Sequence, residues 1–123
     1  MLDKNKTYAL VGASNNNKKY GYMLLNYLKD NGFQITPINP KETKILGLTT
    51  YHKLSELKIK IDTVIFVVPP SITEKVLKEV NTLNIKNVWL QPGSESETAI
   101  NYCQENDINC THNACIMRLK KPF

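Results

Sequence analysis

Five short apolar runs, each bounded by turn residues, constrain this chain more than any other feature. They cover Thr7–Val11, Gln34–Ile38, residues 62–68, Asn87–Leu90 and residues 108–110. Runs of that length, rich in β-branched residues, read as buried strands. Pro37 weakens the second as a strand, because proline cannot donate to a ladder and prefers an edge or a strand end. Helical patterns lie between the runs. Residues 20–31 put Leu24, Leu25 and Leu28 on one face, with Gly32 at the C′ position. After Pro69 and Pro70, a capping box of Ser71 and Glu74 opens a helix with Ile72, Val76, Val80 and Leu83 on one stripe and Leu77 beside it. Ser94 and Glu97 form a second box, whose helix turns Ala99, Ile100 and Cys103 inward. Residues 44–57 are less regular, with an extended piece near 48–51 and a helical turn near 54–57.

Strands separated by helices require crossover connections, hence parallel pairing. The expected fold is α/β: a single doubly wound domain of Rossmann type over residues 1–123. Its sheet is mostly parallel, of about five strands, with helices on both faces. A length of 123 residues fits one core. With 41% hydrophobic and 22% charged residues, disorder is not expected. The N-terminus has no long apolar run, so neither a signal peptide nor a membrane span is expected. Three cysteines in such a chain point to free thiols and a cytoplasmic location. The net charge of +5 comes from scattered lysines without a dense basic run, so nucleic acid is not the expected partner.

In doubly wound sheets, ligands bind beyond the carboxyl ends of the strands. Those ends carry Gly12-Ala13-Ser14, Asn39-Pro40-Lys41, Val68-Pro69-Pro70 and Gln91-Pro92-Gly93. Proline stiffens a turn and glycine admits close backbone approach, so the set predicts a preformed rim. The first loop, VGASNNNKKYG from Val11 to Gly21, lacks both standard glycine spacings for phosphate binding. Its Gly12, Ser14 and Lys18, with Lys19 and the start of the following helix, still suit a phosphate. The second strand ends in Lys41, where NAD enzymes usually place an acid. A lysine there favours a phosphorylated ribose, as in NADP or in coenzyme A (CoA).

Taken together, G-A-S at Gly12, N-P at Asn39, Gly47 with Tyr51, V-P-P at Val68, W-L-Q-P-G at Trp89 and Cys115 resemble the stand-alone CoA-binding domain family. That family is related to the N-terminal CoA-binding domain of the succinyl-CoA ligase alpha subunit. The motifs run from about residue 7 to about Leu119. They do not extend to the ligase's second domain, which carries its phosphorylated histidine. The resemblance implies that Gly12, Ala13, Ser14 and Lys18 hold the pyrophosphate. By the same analogy Asn39, Pro40 and Lys41 hold the ribose phosphate, and Val68, Pro69 and Pro70 flank the adenine. Gln91, Pro92 and Gly93 then face the pantetheine arm. Two departures stand out: Lys41 replaces a common arginine, and Asn15–Asn17 replace proline and arginine.

Catalytic groups are sparse. Cys110, His112 and Cys115 lack a zinc spacing and a fourth ligand, so no metal is expected. Cys103, Cys110 and Trp89 read as packing residues, and Cys115 is the one thiol with a claim on the pocket. The expected function is binding of CoA or acyl-CoA without evident catalytic machinery. The alternatives are an NADP-dependent reductase and a protein-interaction module that has lost its ligand. A homodimer or an unidentified protein partner is left open.

Overall fold

The computed structural model describes residues 2–118; Leu119, where the sequence motifs end, and the rest of the expected domain to residue 123 lie outside the described residues. The main sheet contains β1 (Thr7–Val11), β2 (Gln34–Ile38), β5 (Thr63–Phe66), β6 (Asn87–Leu90) and β7 (Asn109–Thr111), in the order β2-β1-β5-β6-β7. All four pairings are parallel. A two-residue ribbon, β3 (Lys44–Ile45) with β4 (Leu48–Thr49), forms the irregular region. Three helices make the crossovers: α1 (Tyr20–Asp30), α2 (Pro70–Thr82) and α3 (Glu97–Glu105). No helix among the described residues is long and apolar enough to cross a membrane.

Alternation along the strands divides the core. Tyr8, Leu10, Ile65 and Trp89 face α1, where Leu24, Leu25 and Leu28 are buried. Ala9, Val11, Val64, Phe66, Val88 and Leu90 face the opposite layer, with Leu77, Val80, Ala99 and Cys103 from α2 and α3. Both faces of the sheet are therefore covered, as its continuous apolar runs require. β2 is the edge of this sheet, consistent with Pro37. Tyr51 partly covers that edge, donating to the Pro37 carbonyl at 3.2 Å and accepting from Asn39 N–H at 2.9 Å.

All three helices end by one device. In each, an N–H two residues past the cap reaches back to a carbonyl five residues earlier: Phe33 to Leu28, Ile85 to Val80, and Ile108 to Cys103. The preceding residues Gly32, Asn84 and Asp107 have positive φ, which completes a Schellman turn. Phe33, Ile85 and Ile108 are all buried, so each turn anchors the entry to the next strand.

Neither expected capping box forms, and both helices start two residues from the expected cap. α2 starts at Pro70 with Pro69 at its N-cap, and Ser71 caps nothing. Proline suits the first helical position because its missing N–H has no intrahelical partner there. α3 is capped by Ser96, whose Oγ accepts from Ala99 N–H at 3.0 Å and donates to Glu74 Oε2 at 2.6 Å. Ser94 is drawn elsewhere and accepts from Val68 N–H at 3.0 Å. That bond also explains why the third run leaves the ladder after Phe66: Val67 N–H still reaches Val11, but Val68 N–H turns to a side chain. The inward stripe of α2 is Thr73, Leu77 and Val80, so the expected stripe holds at Val80, with Val76 partly buried, and fails at its ends: Ile72 and Leu83 are 39% and 40% exposed. On α3, Ile100 is half-buried while Ala99 and Cys103 are fully buried.

Three substitutions test this packing. Gly21 lies against the Gly12 carbonyl, and a Cβ there would overlap its oxygen. Helix propensity alone favours alanine over glycine by about 1 kcal/mol. Gly21→Ala is nevertheless expected to lower stability by about 2 kcal/mol in urea unfolding, because a backbone oxygen cannot step aside. In the same assay, Leu77→Ala should cost about 3 kcal/mol and Ile72→Ala less than about 1 kcal/mol, reversing the ranking that the sequence stripe suggests.

Candidate nucleotide-binding cleft

The strand order places the switch point between β1 and β5, whose crossovers leave in opposite directions. Gly12 follows β1 there with φ 108°. A Cβ on Gly12 would overlap the Val67 carbonyl and lie 2.8 Å from Val68 Cγ1. Glycine is thus required twice over, by conformation and by approach. Gly21 then lets the first turn of α1 rest directly on this loop. The two glycines perform the tight-turn and close-packing roles of a dinucleotide fingerprint, across a longer loop.

The asparagine run builds that loop. Ser14 Oγ accepts from Asn16 N–H at 3.0 Å, and Asn16 Oδ1 accepts from Lys18 N–H at 3.0 Å. Asn15 Nδ2 donates to the Lys44 carbonyl at 3.1 Å, tying the loop to β3. Short polar side chains thereby bond the backbone two residues on, as turns require. No side chain caps α1, whose N-cap is Lys19. Its first turn faces a cleft of about 350 Å³ lined by Gly12, Ala13, Ser14, Lys19, Tyr20, Asn39 and Val67–Pro69. Helix N–H groups and a lysine at one opening suit an anion.

Asn39 connects this cleft to a second. Its Nδ2 donates to the Ala13 carbonyl at 2.8 Å, and its Oδ1 accepts from Lys41 N–H at 2.7 Å and Glu42 N–H at 3.1 Å. The side chain therefore clamps the end of β2 to the end of β1. Beyond it lies a mainly apolar cleft of about 390 Å³, walled by Ile38, Pro40, Leu54, Val68, Ile72 and Val76. His52, Lys53 and Lys75 line the same cleft. So does Glu79, whose carboxylate accepts from Leu54 and Ser55 N–H.

Tyr20 connects the first cleft to a third, also about 390 Å³, lined by Pro92, Cys115, Met117 and Arg118. Behind it Gln91 is fully buried, with Nε2 donating to Tyr20 Oη at 3.1 Å and to Cys115 Sγ at 3.5 Å. Its Oε1 accepts from Ile116 N–H at 3.0 Å. Burial, and then the hydrogen bond with Cys115, push the Tyr20 hydroxyl up to about 12.

Nine of the residues singled out in the sequence line these clefts: Gly12, Ala13, Ser14, Asn39, Pro40, Val68, Pro69, Pro92 and Cys115. Five do not. Lys18 and Lys41 are exposed outside the linings, and Pro70 is committed to the first turn of α2. Gln91 stands behind the wall, and Gly93 is exposed with its N–H donating to Glu95 Oε1 at 2.8 Å. Lys19, weighed with Lys18 for the phosphate, does line the first cleft, and Tyr20, Lys53, Lys75 and Ile72 are lining residues that the sequence did not mark for the ligand. Tyr20 and Lys19 were legible as the start of α1; Lys53 and Lys75 arrive only through tertiary packing.

A family model described as a CoA binding domain matches residues 6–121. The acetate–CoA ligase (ADP-forming) of Methanocaldococcus jannaschii is 36% identical over 103 residues, 84% of this chain but 14% of the ligase. The chain thus spans a small part of that relative. An uncharacterised protein of Bacillus subtilis, YneT, is 26% identical over 94% of this chain and 86% of its own length. Among solved structures, a conserved hypothetical protein from Pyrococcus furiosus superposes with a TM-score of 0.88 at 38% identity, covering 91% of this chain and 97% of that one. With a matching family model over nearly its whole length and this architecture beneath it, the chain belongs to the CoA-binding domain family.

Proposed function

We propose that this protein binds CoA or an acyl-CoA along the carboxyl edge of its sheet and does not itself transform it. The observation that carries the reading is the adjacency of the three clefts: Asn39 and Val68 line both the first and second, and Tyr20 lines both the first and third. Their chemistry follows the order of the ligand's parts. The apolar cleft suits the adenine, with Lys53 and Lys75 beside it for the ribose phosphate. The Gly12–Ser14 loop, Lys19 and the start of α1 suit the pyrophosphate. The third cleft takes the pantetheine arm, with Cys115 at its wall.

The reading as a holder rests on what lines the site. Among the described lining residues the one carboxylate is Glu79, and both its oxygens accept backbone N–H groups. The backbone N–H groups and lysines beside it suit a polyanion, and no second carboxylate among the described lining residues stands by to pair with Glu79. The reductase alternative shares the phosphate chemistry and differs in the ligand it selects.

Calorimetry decides between them. CoA is expected to bind, dephospho-CoA about tenfold more weakly for the loss of one charge-assisted contact, and NADP more weakly than CoA. No heat from CoA at millimolar concentration would overturn the reading, and binding of NADP alone would favour the reductase. Variants assign the parts. Lys19→Glu is expected to weaken CoA and dephospho-CoA alike by about tenfold or more, without a change in melting temperature. Lys53→Ala with Lys75→Ala should weaken CoA and leave dephospho-CoA nearly unchanged.

A further inference from the structure

The third cleft contains a cluster that nucleotide binding does not use. Cys115 is half-buried on its wall, and its sulfur shares a hydrogen bond with the Tyr20 hydroxyl. The segment that carries it is held from two sides, by Gln91 Oε1 on Ile116 N–H at 3.0 Å and by Trp89 Nε1 on the Ala114 carbonyl at 3.0 Å. The thiol thus stands at a fixed place on a cavity that adjoins the phosphate cleft, with Tyr20 lining both. Burial pushes its pKa up, but the bonds from Tyr20, Met117 N–H, Gln91 and Arg118 N–H prevail and leave it below its ordinary value. Tyr20, held up to about 12, keeps its proton at neutral pH and can donate a hydrogen bond to a thiolate. The other cysteines differ. Cys103 is fully buried in the opposite core layer, where its interaction with Cys110 pushes its own thiol up and that of Cys110 down, and neither lines the three clefts.

We infer that Cys115 is a covalent docking site for the thiol end of the ligand, forming a mixed disulfide by exchange with CoA disulfide. This rests on the CoA reading above. In the step, the Cys115 thiolate attacks one sulfur of CoA disulfide. That S–S bond breaks and a Cys115–CoA disulfide forms. The second CoA leaves as a thiolate and takes a proton from water. The Cys115 sulfur is oxidised, the departing sulfur is reduced, and a free thiol reverses the reaction. Gln91 and Tyr20 act as positioning residues for the sulfur.

The test treats the folded full chain with CoA disulfide, and in parallel with pantethine, the disulfide that lacks the nucleotide, and follows intact mass over time. The expected result is one CoA per chain, removed by dithiothreitol, absent in Cys115→Ser and retained in Cys103→Ser and Cys110→Ser. CoA disulfide should react at least about tenfold faster than pantethine, because a bound nucleotide presents the sulfur at high effective concentration. Desulfo-CoA should slow the first reaction and not the second. Tyr20→Phe, which keeps the ring, should move the midpoint of the rate–pH profile upward, since it removes a donor that stabilises the thiolate. Calorimetric binding of CoA without any Cys115 adduct would overturn the inference and leave the CoA reading intact. Equal rates with the two disulfides, unaffected by desulfo-CoA, would overturn it as well; if calorimetry then also shows no CoA binding, the CoA reading fails with it. An unmoved pH midpoint in Tyr20→Phe would overturn the part assigned to Tyr20.

Discussion

The contact of α1 with the loop after β1 governs the rest of this molecule. Gly21 sits on the Gly12 carbonyl, and Gly12 itself is wedged beneath Val67 and Val68. Three backbone segments therefore meet with no side chain between them. That closeness brings the start of α1 to the switch point of the sheet, where the crossovers diverge. A side chain at either glycine would force the helix or β5 away, and the cleft between them would lose its floor. Fold and candidate site thus depend on the same few atoms.

Around this contact the polar side chains act chiefly as clamps. Asn39 ties the ends of β1 and β2 together, Ser94 takes the N–H of Val68, and Gln91 joins Tyr20, Cys115 and Ile116. Gln91 and Ser94 are almost completely buried. Burying polar groups is tolerable because they are hydrogen-bonded, and the return is a rim with little freedom. A preformed rim lowers the ordering cost of binding a long, flexible ligand. The residues that look most like ligand contacts in the sequence are in several cases the ones that hold other residues in place.

The cysteines show how context divides one residue type. Cys103 lies in the core between α3 and the sheet, with Cys110 on β7 as its hydrogen-bond partner. Cys115 lies past the end of β7, on the other side of the sheet, among donors that favour its thiolate. Burial raises a thiol and directed donors lower it, so position decides which way each one shifts.

The sequence by itself determined the architecture. Apolar runs of strand length, a leucine face on α1 and proline or glycine at the strand ends specify a covered parallel sheet whose carboxyl edge carries Gly12, Asn39, Val68 and Pro92. Those signals are local, and local patterning survives reading one residue at a time. Helix starts were legible only to within two residues, because Ser94 and Ser96 are equally good caps until Val68 N–H claims one of them. The tertiary structure alone decided which lysines reach the cleft. Lys18 and Lys41 stand beside the motifs in sequence but turn to solvent, whereas Lys53 and Lys75 come from a 3-10 turn boundary and from α2. It also decided the burial of Gln91 and the exposure of Ile72. A helix's rotation and a loop's path are set by long-range packing, and no short window of residues contains that information.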